Sequence, residues 1–242
     1  DPARPKEPWA FHPLSGDLGL QRFTHGMGVG DVNGDGRADV LLQRGWWEQP
    51  SSLAGDPAWQ EHAVAFSSQY GGAQMFVYDV DADGWNDVIT SLAAHHFGLS
   101  WWRQVRPAGA IEFVEQRIMG AEPAENDDGV CFGELHALDL VDVDQDGMLD
   151  IVTGKRWWSH GAEGDPQPGS QPVVYWFGLE RRRVDDTTSV RWHAHQVDAE
   201  SGVGVQVVAG DVTGDGRVDV VVGNKRGAFV LKQRAPDADP ER

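Results

Sequence analysis

Four short runs of β-branched and apolar residues mark out the chain: DVLL at 39–42, DVIT at 87–90, DIVT at 150–153 and DVVV at 219–222. Such runs read as buried strands, because β-branched side chains suit a pleated surface and these leave little polar face for water. Each is preceded, across a polar interval, by a glycine-containing segment ending in short apolar residues (GMGVG, GGAQMFVY, GELHALDLV, GVGVQVVAG). Each is followed by an aromatic or apolar segment (GWWEQ, LSWWRQ, VVYWFGLE, GAFVLKQ), and three times by a further one (WQEHAV, FVEQRIM, RWHAHQV). Glycine and β-branched residues interrupt every window long enough for a helix. The pattern predicts an all-β chain in which strands A, B, C and D form a four-stranded antiparallel blade. Four repeats are seen, near 16–64, 65–119, 120–197 and 198–235.

The ends of the chain bear on how the blades close. The fourth repeat stops after strand C, whereas PWAFHPL near the N-terminus matches WQEHAV in pattern. A strand over 8–15 would complete the last blade, closing a ring from both termini and removing exposed edges; alternatively it ends a preceding blade. Residues 1–242 are thus expected to form a single β-propeller domain or part of a larger propeller.

The polar interval between strands A and B has its own pattern. DVNGDGRADV begins at residue 31, and its counterparts begin at 79, 142 and 211. Side-chain oxygens fall at positions 1, 3, 5 and 9: Asp31, Asn33, Asp35 and Asp39; Asp79, Asp81, Asp83 and Asp87; Asp142, Asp144, Asp146 and Asp150; Asp211, Thr213, Asp215 and Asp219. Calcium takes 6–8 oxygen ligands in flexible geometry, and alternate oxygens on a tightly curling loop converge on one ion. Glycine at position 6 supplies the positive φ that lets the chain reverse. Position 7 (Arg37, Trp85, Met148, Arg217) is chemically unrelated from loop to loop, as expected where only its backbone carbonyl coordinates. An EF-hand is excluded: its bidentate Glu belongs at position 12, occupied here by Leu42, Thr90, Thr153 and Val222. Thr213 offers one neutral oxygen, so the fourth loop is expected to bind most weakly.

These loops, set between a glycine-rich and a β-branched strand, resemble the FG-GAP/VCBS repeats of integrin-alpha-type β-propellers and of many exported bacterial proteins. The resemblance covers nearly the whole chain. It implies a propeller with one calcium in each A–B turn on one face, ligand binding on the opposite face, and an extracellular or periplasmic location, the signal peptide not being present in this chain. The repeated double Trp (Trp46-Trp47, Trp101-Trp102) departs from that pattern and reads as core and inter-blade packing, one ring inward and its neighbour outward. Similar blades serve both adhesion modules and a few carbohydrate-active lyases, so the resemblance does not fix the activity.

Composition agrees with a cation-binding globular chain. The 242 residues carry 38 acidic and 20 basic side chains, for a net charge of -18. Such a balance disfavours nucleic acid and anionic membranes, both of which need a positive field. No apolar run reaches the ~18 residues that span a bilayer, so no membrane insertion is expected. The lone Cys131 excludes an internal disulfide framework.

With calcium in the A–B turns, the D–A and B–C connections must emerge at the other end of the blades, since strands alternate in direction. The starts of the A strands carry His25, Gln74, Glu134, His136 and Gln206. The ends of the B strands carry Arg44, His95, His96, Lys155, Arg156, Lys225 and Arg226. The longest B–C connection, 157–172, opens with Trp157, Trp158 and His160, and aromatic rings beside polar groups suit a sugar. Arg44, His95, His96, Lys155, Arg156, Trp157, Trp158, His160 and Lys225 are therefore candidate ligand-binding residues. His25, Glu134 and His136 are candidate catalytic residues. Two functions follow: a binding module for carbohydrate or protein, with further blades or domains of the same protein as possible partners, or a lyase or dehydratase that abstracts a proton with the axial His/Glu set.

Overall fold

The computed structural model describes residues 6, 9–68, 70–157, 160, 165–185 and 187–235. Among these described residues, fifteen strands form four antiparallel sheets, each laid out in chain order. The first holds β1 (Gly28–Gly30), β2 (Asp39–Leu42), β3 (Gly45–Glu48) and β4 (Gln60–Ala63), and the second β5 (Phe76–Tyr78), β6 (Asp87–Ser91), β7 (Leu99–Val105) and β8 (Glu112–Met119). The third holds β9 (Leu138–Val141), β10 (Asp150–Gly154), β11 (Val174–Val184) and β12 (Thr187–Asp198). The last has three strands, β13 (Val207–Gly210), β14 (Asp219–Asn224) and β15 (Gly227–Leu231). The all-β expectation and the A–B–C–D order hold. In every sheet the residue before the acidic loop faces position 9 across the ladder: Gly30 with Asp39, Tyr78 with Asp87, Val141 with Asp150 and Gly210 with Asp219.

The sheets stack through three apolar cores. Leu41, Trp46, Phe66, Met75 and Val88 join the first sheet to the second. Ile89, Leu99, Trp101, Leu138, Ile151 and Phe177 join the second to the third, and Val152, Val174, Val207, Val220 and Val222 the third to the fourth. This explains why the B strands of the two middle sheets, β6 and β10, are buried along their whole length: both of their faces are covered. Innermost strands approach closely, since Gly28 bridges Met75 and a Cβ at Gly28 would lie 2.4 Å from the Met75 carbonyl oxygen.

Trp46 and Trp47 are both buried, in keeping with core and inter-blade packing, alternation along β3 sending the two rings to opposite faces. One detail departs from the sequence reading. Residues 9–15 form no strand: Trp9 is 92% and Phe11 87% exposed, and the Leu14 carbonyl accepts a hydrogen bond from the Trp59 amide of the first repeat. Pro13 removes a ladder donor from this short segment. Among the described residues β15 has no partner on its outer side.

Candidate functional site

The A–B loops are built by their own aspartates. In the first, Asp31 at position 1 accepts backbone N–H bonds from Gly34 and Asp35 on Oδ1 and from Gly36 on Oδ2, at 2.8–3.0 Å. Asp79, Asp142 and Asp211 gather the equivalent amides. The position 6 glycines turn with φ between +83° and +90°. Position 4 is also left-handed, with φ +56° at Ala82 and +66° at Gln145, which sequence reading missed because only Gly34 and Gly214 signal it there.

Position 9 does more than mark the start of a strand. Asp39 Oδ2 accepts the Val32 amide and Oδ1 the Gln49 amide, both at 2.9 Å. Asp87 takes Val80 and Gln104, Asp150 takes Val143 and Leu179, and Asp219 takes Thr213 and Gln233. One carboxylate thus ties each loop to strand C. Burial pushes Asp87 up to about 7 and Asp150 to about 6, against the lowering effect of those amides.

Oxygens of Asp79, Asp81 and Asp87, and of Asp142, Asp144 and Asp146, lie within 4.8 Å of one another, a donor set of hard oxygens that fits calcium. Arginines take some of these oxygens. Arg103 Nε reaches Asp81 Oδ2 at 2.6 Å, while Arg37 and Arg217 pair with Asp35 and Asp215 of their own loops. The third loop therefore offers its carboxylates most openly.

The next repeat then locks over the carbonyls of each loop. Gln104 Nε2 donates to Val32 O at 2.9 Å, Arg181 Nε to Val80 O at 2.7 Å, and Gln233 Nε2 to Val143 O at 3.3 Å. Arg106 adds a bond to Asn33 O at 2.8 Å while its guanidinium lies 3.6 Å from the centre of the Trp85 ring.

At the opposite end of the sheets lies a funnel of about 1020 Å³. His25 and His136 enter it from the starts of repeats one and three, His95 and His96 from the end of β6, and Arg156 and His160 from the end of β10. Its rim includes Phe23, Met27 and Tyr70, all exposed apolar side chains that the sequence did not single out as site residues. Gln74 and Gln206 also line it, and Gln74 Nε2 spans 3.5 Å to Val205 O of the fourth repeat. Four repeats thereby converge on one cavity.

Three imidazoles meet at its floor. His25 Nε2 and His95 Nε2 are 3.0 Å apart, and the ring centres of His25, His95 and His136 stand 4.4–5.1 Å from one another. Burial, then Arg156 and the neighbouring imidazoles, lowers His136 to about 3. Burial, then His160, His25 and Arg156, lowers His95 to about 4. Both rings are therefore neutral at pH 7. Beside them His160 Nδ1 meets Asp165 Oδ1 at 2.7 Å, and its ring centre is 4.7 Å from that of His95.

Other candidates lie elsewhere. Glu134, fully buried with φ +61°, accepts from Lys155 Nζ at 2.7 Å on Oε1, and both line a separate cavity of about 210 Å³ with Trp157. Its backbone nevertheless braces the funnel: Glu134 N donates to His96 O, while Glu134 O accepts from Arg156 N and His136 N. The expected Glu134–His pairing is replaced by this ion pair. Arg44 pairs with Glu61 at 2.9 Å, Lys225 is exposed outside the funnel, and Arg226 covers the Trp157 ring. Trp158 lies outside the described residues.

A stack of antiparallel sheets, three of four strands and one of three, each turning from its first to its second strand through an aspartate-built loop, defines a β-propeller of repeated blades. Residues 203–233 match the FG-GAP repeat. The chain is 28% identical to human integrin alpha-IIb over 186 residues, covering 68% of the chain and 17% of the relative. It is 27% identical to human integrin alpha-D over 190 residues, 74% of the chain and 15% of that protein. The chain thus carries an FG-GAP repeat at residues 203–233 and is similar to integrin alpha chains, of whose length it spans less than a fifth.

Proposed function

We propose that the protein is an exported, calcium-dependent β-propeller binding module that takes its ligand, a carbohydrate, in the funnel opposite the acidic loops. The observation that carries this reading is the funnel itself: four repeats build one cavity with an apolar rim and a floor of imidazoles and a guanidinium. Sugars present an apolar C–H face and a polar hydroxyl edge, and Phe23, Met27 and Tyr70 above His96, His136 and Arg156 offer surfaces for both. Similarity to integrin alpha chains supports an extracellular binding role and makes a protein ligand the rival occupant.

Calcium would be held by the position 1, 3 and 5 carboxylates, with position 9 buried behind them, as in Asp142, Asp144, Asp146 and Asp150. There it supplies positive charge that cross-links each loop. The protein's own groups do the rest: position 1 orders the loop amides, position 9 ties the loop to strand C, and Gln104, Arg181 and Gln233 clamp neighbouring blades. The buried Glu134–Lys155 pair leaves the lyase reading without its carboxylate base.

Screening the full chain on a glycan array in calcium tests the proposal. Binding of a defined sugar class, lost in Tyr70→Ala and in Arg156→Met, is the expected result. No glycan bound, with an extracellular protein captured through the same two residues instead, would replace the carbohydrate by a protein.

A further inference from the structure

We infer that His25, His95 and His136 form a binding site for one transition-metal ion of the zinc class on the floor of the funnel, separate from the acidic loops. The ligand atoms of these three side chains lie within 4.8 Å of one another. Around a tetrahedral ion bonded at 2.0–2.1 Å, ligand nitrogens stand roughly 3.3 Å apart. The 3.0 Å between His25 Nε2 and His95 Nε2 brackets that spacing from below and the 4.8 Å limit from above, so small ring rotations suffice. The ring planes are inclined at 52°, 70° and 86° rather than stacked, as three planes aimed at a common point must be.

A hydrogen bond between two neutral imidazoles accounts for His25 and His95 alone. It leaves His136 unexplained, because that ring is 7% exposed and neither of its nitrogens has a hydrogen-bond partner. His95 Nδ1 is likewise buried without one. Burying an imidazole with both nitrogens unpartnered is costly, and a shared ion gives one nitrogen of His136 a partner. Imidazole nitrogen suits zinc, copper, nickel or iron, whereas calcium prefers oxygen, so this site and the loops select different ions.

Three protein ligands leave a position open, as catalytic rather than structural zinc sites do. Here it opens into the funnel, where the Arg156 guanidinium makes no ion pair among the described residues. The ligand class that uses both is a small molecule bearing a carboxylate or similar oxyanion. The inference stands on the imidazole geometry and goes beyond the binding reading, so failure to find a sugar leaves it intact.

The test is calorimetric titration of the full chain with zinc while excess calcium occupies the acidic loops, repeated with cobalt(II) and visible absorption. One zinc per chain and the ligand-field bands of nitrogen-bound cobalt are expected, with affinity falling ~100-fold or more in His25→Ala and in His136→Gln. His12→Ala, an exposed histidine outside the funnel, leaves zinc affinity unchanged. His25 is half-buried, so its variant serves if the buried His136 change impairs folding, which thermal melting of each variant shows. No zinc uptake by the wild-type chain, or wild-type zinc affinity retained in both histidine variants, overturns the proposal.

Discussion

Single residues carry opposite loads at the two ends of the blades. His95 and His136 are neutral in the fold, held near 4 and 3 against an ordinary value of 6.5. A folded value below the unfolded one means that acid favours the unfolded chain, so their contribution is complete above pH 6.5 and drains away as pH falls toward 4. Asp87 and Asp150 oppose this, because values raised to about 7 and 6 make the calcium-free fold bind protons from pH 7 down to 4. With calcium saturating, those carboxylates stay ionised and the imidazole effect remains. The melting temperature of calcium-loaded, zinc-free protein should fall between pH 7 and 5, and fall less in His136→Gln; parallel profiles would contradict the assignment. Ala82 provides a second residue-scale test. It sits at φ +56°, where glycine is at ease, so Ala82→Gly should stabilise by about 1 kcal/mol in denaturant melts. The acidic grid was legible because it repeats four times in the sequence. The second left-handed position was hidden because Ala82 and Gln145 do not announce it.

Among elements, the instructive feature is the lock that each repeat closes over the loop before it. Strand order was readable from β-branched and aromatic runs, since the 4–12-residue elements of the second to fourth sheets coincide with them except for the three-residue β5. The lock was not readable, because its donors differ: Gln104 and Gln233 share one position relative to the position 9 aspartate, whereas Leu179 occupies it in the third repeat and Arg181, two residues on, reaches across instead. Arg181 Nη2 also bonds Tyr78 Oη at 3.0 Å, joining strand C of one blade to strand A of its neighbour. Replacing it strands buried carbonyls, a loss of about 1–3 kcal/mol. Arg181→Met should therefore lower stability by that amount in urea unfolding, whereas Arg182→Met, at an exposed side chain that pairs with Glu180, should change it by less than about 0.5 kcal/mol. Equal effects of the two would dissolve the lock.

At the scale of the whole molecule, charge and topology divide the labour. Net charge is -18, and much of it is concentrated at one end of the sheets, where like charges repel unless a cation intervenes. Calcium-free protein should therefore gain stability with added monovalent salt, and calcium-loaded protein much less, because bound ions have already offset the repulsion. The funnel was only half legible. Sequence order placed His25, His95, His136, Arg156 and His160 at corresponding ends of their repeats, but convergence of the three imidazoles depends on how the blades stack, and no single repeat encodes that. The same stacking turned Glu134 away toward Lys155. Residues 9–15 show the converse limit, a strand-like pattern, interrupted by Pro13, that joins no sheet.

The central claim is that the acidic loops are calcium sites that fasten the blades. Thermal melting of the full chain, stripped with a chelator and then titrated with calcium, tests it most directly. A single site at 100-fold excess over its dissociation constant contributes about 2.7 kcal/mol, which for a chain of this length raises the melting temperature by about 5–10 °C. The account predicts a rise of at least that size, reduced in Asp142→Asn and absent with magnesium-free buffer alone. A melting temperature indifferent to both chelator and calcium would contradict it.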